Sequence, residues 1–595
     1  MSTQSVLHVN QIINDSTDNI ARQLRQTYER WRIQRMPRDE ERKELRNYLF
    51  ATDTSTTTNS SLPWKNRTTV PKLTQIRDNL HANYYDAIFP NEDWLRWDGN
   101  SQDDITKQKR TAIEAYIKNK CKQSGFMETM SRCLLDYIDN GEAFAEVVWV
   151  NETHWDDILE EEVVTYIGPK VFRISPWDHY YNPTAVSYRK SPKFTRYLKN
   201  VGELVKEQKV RTDLQFDESA FEKMIKYRKN LSAYSYEDLN KADGYLADGF
   251  GTMSEYLGSG LVEILEFEGD LYSEEDGVLY ENHLITIADG TTVLRNIPNP
   301  NWLGTDNKVK VNWRDRPDNL YGMGPMDNLV GMQYRLDHLE NLKADALDLT
   351  IHPPLKIKGD VEPFLWGPGS EIHLPEDGDV ESMAPNSAAF QVNNEIAYLM
   401  NLMEEMAGAP KQAMGFRTPG EKTAFEVQQL ENAASRIFNN KILKFSIEFM
   451  EPLLNLMLES AKRNMVMSDI IRVMDDDFGV SEFISITRED ITAKGKLFPM
   501  GSRHYAARAQ MIQNLTGIAN SPLLGIIQPH LSSVKLATFI EDIMGLTKYA
   551  LFRTNIAVSE QAETQRLIST ERSNIVDENA VDTSGMGEMG GEEEE

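Results

Sequence analysis

Apolar positions in the first fifty residues recur at helical spacing. Residues 18–50 therefore predict helix, rich in Arg and Glu, with a break at Pro37. Residues 51–61 (ATDTSTTTNSS) predict a polar linker. A second helical pattern runs from about Leu73 to Phe89 and stops at Pro90. Residues 105–140 predict further helices, interrupted at Gly125 and ended at Gly141. The period then falls to two. Residues 143–150 (AFAEVVWV), 163–167 and 171–174 predict strands. Residues 184–260 read as an insertion with charged helices and a Gly/Tyr/Ser-rich end. Strands resume at 261–271, 278–287, 293–297 and 308–313. After Pro317 helices dominate, except for a short β segment at 469–487, and no internal repeat is evident. The fold class this predicts is α+β.

The centre of the chain has the most distinctive order. Pro325 follows Gly322-Met-Gly324, where a helix start tolerates the missing N–H. From Met326, Leu329, Met332, Leu336, Leu339, Leu342, Ala346 and Leu349 form one helical stripe on a rod roughly 36 Å long. Its other face carries Arg335, Asp337, Glu340, Lys343, Asp345 and Asp348. Pro353-Pro354 end it, and residues 355–385 carry the turn signals of a small β unit. Residues 388–407 are helical again, with Val392, Ile396, Leu399, Met403 and Met406 in register, and Gly408 and Pro410 stop them. The loop 411–422 (KQAMGFRTPGEK) carries Lys411, Arg417 and Lys422. A T-x-x-E capping box, Thr423 and Glu426, then opens a very long helix, which Pro452 should kink.

Composition narrows the class. With 595 residues, 40% hydrophobic and 26% charged, the chain needs several globular sub-domains. Two cysteines, Cys121 and Cys133, make no disulfide framework and fit a reducing cytosol. The start MSTQSVLHVNQ lacks the features of a signal peptide. No apolar run approaches the roughly 20 residues that span a bilayer, so a soluble protein with no membrane partner is expected. A net charge of −28 argues against tight, sequence-independent gripping of DNA, which needs Lys and Arg to displace counterions. An acidic wall could still let a duplex slide past.

Motifs for bond chemistry fail on inspection. Gly495-Lys496 is followed by Leu497 and lacks the earlier phosphate-loop glycine, and no G-x-S-x-G elbow occurs. Gly322 and Gly324 lack the third glycine of a dinucleotide fingerprint. The ten histidines are scattered. Asp475-Asp476-Asp477 could hold a divalent cation, but their place between two strand-like runs favours a hairpin turn. Asp178 and His179 beside Tyr180-Tyr181 could serve acid–base chemistry or simply pack a strand end. The expectation is a non-enzyme that needs no cofactor and no metal.

The order of elements resembles the bacteriophage portal (head-to-tail connector) family. Local sequence resembles it too: Ile88-Phe89-Pro90 with Trp94, residues 135–146 (LDYIDNGEAFAE), 174–185 (ISPWDHYYNPTA), and 407–415 (AGAPKQAMG) followed by Asn432, Arg436 and Glu451-Pro452-Leu453-Leu454. The resemblance spans about residues 73–536. It implies a wing (1–320), a first stem helix (321–350), a clip (351–385), a second stem helix (386–410), a tunnel loop (411–422), a long kinked helix with wing return (423–502), a helical crown (503–555) and an acidic tail (556–595).

By the same resemblance the protein forms a dodecameric ring at one capsid vertex. It is the channel for double-stranded DNA during packaging and ejection. Its partners would be the terminase large subunit, a tail adaptor, the major capsid protein and scaffold, first in the host cytoplasm and then in the virion. Lys411, Arg417, Lys422, Arg335 and Lys343 would face DNA, Gly415, Pro419 and Gly420 would shape the tunnel loop, and Lys356, Lys358 and Trp366 would belong to the clip. The alternatives are another structural virion protein, internal or of the tail, and a metal-dependent enzyme.

Overall fold

The computed structural model describes residues 19–50, 55, 57–63, 65–90, 94–99, 104–156, 160–211, 214, 216–230, 261–273, 277–299, 306–359, 374, 378–383, 391–407, 438–466, 469–474, 481–492 and 494–500. They form an α+β protein. The chain divides into two compact units, 1–469 with 486–505, and 470–485 with 506–595.

In the first unit α1 (Asn19–Phe50) precedes a short 3-10 turn at Thr58–Ser61 and α2 (Lys72–Ile88). Strand β1 (Leu95–Gly99), α3 (Asp104–Gln123) and α4 (Phe126–Asp139) follow. The expected break at Pro37 does not occur. Pro37 cannot donate to the carbonyl of Ile33, but both residues are exposed, where a helix tolerates the missing bond more cheaply than in a core. Tertiary contacts hold the helix on either side. Arg35 is buried, pairs with Asp39 at 3.0 Å and donates to the carbonyls of Pro176, Trp177 and His179.

The sheets are antiparallel. Strands β2 (Glu142–Asp156) and β3 (Glu161–Ile174) form a long hairpin, and β4 (His179–Tyr181) and β5 (Lys193–Lys199) follow. Helices α5 (Val201–Val210) and α6 (Glu218–Asn230) lead to β6 (Val262–Tyr272), β7 (Leu279–Ala288) and β8 (Thr292–Pro298). Strands β4 to β8 build one five-stranded sheet in sequence order. Its middle therefore includes β5, from the stretch that reads as an insertion. α1 covers one face through Ala21, Leu24 and Tyr28 against Phe194, Leu265, Phe267, Ile285 and Ile287. α5 and α6 cover the other through Leu204, Phe221 and Met224 against Val262, Ile264 and Leu294.

β9 (Lys308–Asn312) joins β2 and β3 in a three-stranded sheet, but pairs only along Glu142–Glu146. A small hairpin, β10 (Arg314–Arg316) and β11 (Asn319–Met323), then leads to α7 (Val330–Ile351). The β12 (Leu355–Lys358) and β13 (Asp379–Ser382) hairpin separates α7 from α8 (Val392–Ala407).

Residues 438–445 are helical and run into a π-helical turn, Ser446–Met450, before α9 (Glu451–Asn464). The π-helical turn lies where the kink is expected, just ahead of Pro452. Glu451 N–H bonds the carbonyl of Ser446, five residues back, just before Pro452, which has no N–H to offer. Strands β14 (Asp469–Met474) and β15 (Ser481–Ile486) pair on either side of residues 475–480 and lie almost wholly in the second unit. A single turn of helix, α10 (Arg488–Ile491), precedes β16 (Gly495–Pro499), which returns to pair with β1.

Candidate functional site

Two helices flanking a hairpin make the most specialised part of the described chain. α7 has 22 residues, about 33 Å of rod. Its first half is anchored, with Leu329, Leu336 and Leu339 buried. Its second half is not. Leu342, Leu347 and Leu349 are exposed, Leu349 by 47% and the terminal Ile351 by 62%. α8 packs against α7 and buries Ile396, Leu399 and Met403, but leaves Tyr398 (60%) and Met406 uncovered. The hairpin beyond adds exposed Ile357. The apolar stripe read from the sequence thus splits into a buried base and an uncovered distal half.

One face of α7 holds an extended strap, residues 65–70, running antiparallel to it. Asp345 accepts from the backbone N–H groups of Lys65 and Asn66, at 3.2 and 3.0 Å. The Asn66 amide donates to Asp345 at 2.8 Å and to Asp348 at 3.0 Å. Asn341 pairs both ways with Thr68, accepting its N–H at 2.8 Å and donating to its carbonyl at 2.7 Å. Val70 N–H donates to Asp337 at 2.9 Å, and the Gln333 amide donates to Val70 O at 2.6 Å. Residues 333, 337, 341, 345 and 348 share a helix face, so their side chains give the strap the partners a neighbouring strand would.

This changes the expected role of that face. Asp337, Asp345 and Asp348 grip the strap, and Asp337 and Asn341 are fully buried. Burial raises the Asp337 carboxyl to about 6, against the pull of the Val70 N–H and the Gln333 amide. Just upstream, the expected linker is partly structured, with Thr57 and Asn59 buried and the Asn59 amide on the carbonyl of Tyr334. A buried Lys72–Glu404 pair ties α2 to α8.

The basic residues singled out by sequence fare differently. Arg335 is exposed on α7, away from the strap. Lys343 is half-buried and pairs with Glu340, three residues before it, at 2.8 Å. Lys356 and Lys358 are exposed on β12; Lys356 faces Glu381 across the ladder at 3.4 Å, and Lys358 lies opposite Asp379. Trp366, Lys411, Gly415, Arg417, Pro419, Gly420 and Lys422 lie outside the described residues, as do Asp475, Asp476 and Asp477.

His179 sits in the core of the first unit, bonded to Thr195 at 3.1 Å and Tyr188 at 2.8 Å and ringed by Phe144 and Tyr181. Burial, then Lys308, Lys193 and Lys310, push its pKa well below the usual histidine value. It is a neutral packing residue. Nearby lies a buried ionic network that sequence reasoning missed. Glu142 accepts from Arg38 at 2.7 Å, Arg42 at 3.2 Å and Tyr181 at 2.7 Å. Lys308 lies 2.5 Å from Glu266 and 3.5 Å from Glu268, and Arg295 is 2.8 Å from Glu266. These charges pin α1, the two sheets and the entry to α7 together. Alternation along β5, β6 and β9 was the available signal, but charged residues at inward positions disguised it.

Among the described residues no group of three His, Cys, Asp or Glu side chains is placed to hold a metal ion, and no helix is long and apolar enough to cross a membrane. No protein-family model matches the chain, and no curated protein matches its sequence.

Proposed function

We propose that this chain is a portal subunit of a tailed bacteriophage: α7 and α8 the stem, the β12–β13 hairpin part of the clip, and the sheets with α1 to α6 the wing. The observation that carries this reading is the paired rods, anchored at one end and bare at the other, with a small hairpin joining them. A lone subunit gains nothing by exposing Leu342, Leu349, Ile351, Tyr398 and Met406 together, and side-by-side packing of stems in a ring would bury them. The π-turn before Pro452 runs into α9, which packs on β2 and β3, in keeping with the family's order.

The mechanism needs no bond chemistry. A ring of about twelve subunits would leave an axial hole through which DNA slides, and the chain's net charge of −28 would keep phosphates from sticking. Exposed Arg335, with Lys411, Arg417 and Lys422, would supply the few weak contacts. Lys343, already paired with Glu340, contributes less. The clip would dock the packaging motor and later the tail adaptor.

The test is Leu349→Asp with Tyr398→Asp in the full chain. Assembly should fail while far-UV circular dichroism stays unchanged, because both side chains are exposed in the single subunit. Unchanged assembly would remove the observation on which the reading stands.

A further inference from the structure

Where the two larger sheets meet, one buried acid is left out of the ion pairing. Lys193 on β5, Glu266 and Glu268 on β6, Asp306 just before β9 and Lys308 at its start all have buried side chains. Lys193 pairs with Asp306. Lys308 Nζ lies 2.5 Å from Glu266, which Arg295 also meets at 2.8 Å. Glu268 is the remaining charge-bearing group. It is 1% exposed, Lys308 stands 3.5 Å away, and among the described residues neither of its oxygens accepts a hydrogen bond.

The other polar groups around it are engaged elsewhere. The Tyr188 hydroxyl meets His179 Nε2 at 2.8 Å, and His179 Nδ1 meets Thr195 at 3.1 Å. Lys310 lies 4.4 Å from the centre of the Tyr181 ring and 3.9 Å from Glu142. Arg211 pairs with Glu207 at 3.3 Å and Glu146 at 3.7 Å. Nor can the Glu268 backbone shift towards water. The next residue, Gly269, has φ of +139°, and a Cβ there would lie 2.7 Å from the Cα of Pro192.

The Asp306 carboxyl faces that of Glu268 within hydrogen-bonding reach. Two ionised carboxylates only accept, so a bond between them needs a proton on one. Asp306 has the Lys193 ammonium as its partner. Glu268 has no donor, and a buried charge without one is costly, so Glu268 is the group that keeps the proton. Burial, opposed by Lys308 and reinforced by the Asp306 charge, pushes its pKa up to about 8.

We infer that Glu268 is an uncharged acid in the folded protein and donates its proton in a hydrogen bond to Asp306, a proton-operated clasp between the five-stranded sheet and the entry to β9. Its position gives it leverage. Asn307, beside Asp306, accepts the Val147 N–H of β2 at 3.1 Å, and Lys308 opens the β2–β9 ladder opposite Glu146. Releasing Asp306 therefore loosens the end of the three-stranded sheet. An acid raised above its ordinary 4.5 contributes stability that is full below that value and is lost as pH rises through 8. The clasp is closed at neutral pH and opens in weak alkali as the proton passes to solvent. This holds whether or not the chain forms a portal.

Infrared spectroscopy of the full chain tests the proton itself. At pH 7.5 a protonated-carboxyl band should be present, fade as pH rises through about 8, and be missing in Glu268→Gln. Asp139 and Asp337 are raised only to about 6 and titrate before this window. Asp306→Asn frees Lys193 to pair with Glu268 and should also abolish the band at pH 7.5, which keeps the test open if Glu268→Gln does not fold. Hydrogen exchange at Val147 and along β9, corrected for the intrinsic effect of pH, tests the clasp. Protection should fall at least tenfold between pH 7.5 and pH 9.5 in the parent and hold steady in Glu268→Gln, whose amide still donates to Asp306. No such band at pH 7.5 would mean that Glu268 is ionised against Lys308, and would overturn the inference. So would a band whose loss leaves protection unchanged, or an equal fall in protection in Glu268→Gln.

Discussion

Asp337 is where single-residue energetics are sharpest. Its carboxyl is raised to about 6 in the folded chain, above the unfolded value near 3.8. A group raised in this way contributes stability that is full below about pH 4 and is lost as pH climbs through 6, because the unfolded chain gives up its proton first. The cost at neutral pH is on the order of 3 kcal/mol. Asp337→Asn keeps an oxygen for the Val70 N–H and carries no charge. Its Tm relative to the parent should therefore be several degrees higher at pH 7.5 than at pH 4.5, measured by differential scanning calorimetry; a difference that does not change with pH would refute this. Glu142 shows the opposite regime. Nearby Lys310, Arg38 and Arg42 hold it below the usual carboxylate range despite burial. Glu142→Ala would strand three buried cations, and a loss of about 3–5 kcal/mol is expected in chemical denaturation.

At the scale of elements, two glycines separate backbone strain from crowding. Gly125 and Gly141 both have φ of +69°. A Cβ at Gly125 would meet nothing within 4 Å, whereas one at Gly141 would lie 2.2 Å from the backbone nitrogen of Gly324. Gly125→Ala should cost about 1 kcal/mol. Gly141→Ala should cost several times that, since it must push apart the start of β2 and the approach to α7. Equal losses would mean that the close approach does not constrain the fold. Pro37 offers a gain: Pro37→Ala restores a donor to the Ile33 carbonyl in mid-helix and should raise stability by about 1–3 kcal/mol. The helix–hairpin–helix order was legible because Pro353-Pro354 and two apolar stripes leave little choice. The strap was not, because side chains four residues apart on a helix look the same in sequence whether they face water or a backbone. β5 was hidden for a related reason: Lys193 and Arg196 are buried beside Asp306, Glu263 and Asp178, so its polar residues mimic a charged surface segment.

For the whole molecule, the element order is clear and the assembly is the claim at stake. Charge, scattered histidines and the lack of phosphate-loop or nucleophile motifs turned the sequence reading away from bond chemistry. In the proposed ring, the bare distal stem is the surface that a neighbouring copy would cover. Deleting residues 415–420 should leave assembly intact and impair DNA packaging or retention in an infection assay; loss of assembly would move that loop out of the channel and into the subunit interface. The most direct measurement is electron microscopy of the purified full chain, with native mass on the same sample. Turbine-like rings of about a dozen subunits with an axial hole are the expected result. A compact particle that remains monomeric at high concentration would contradict the portal reading.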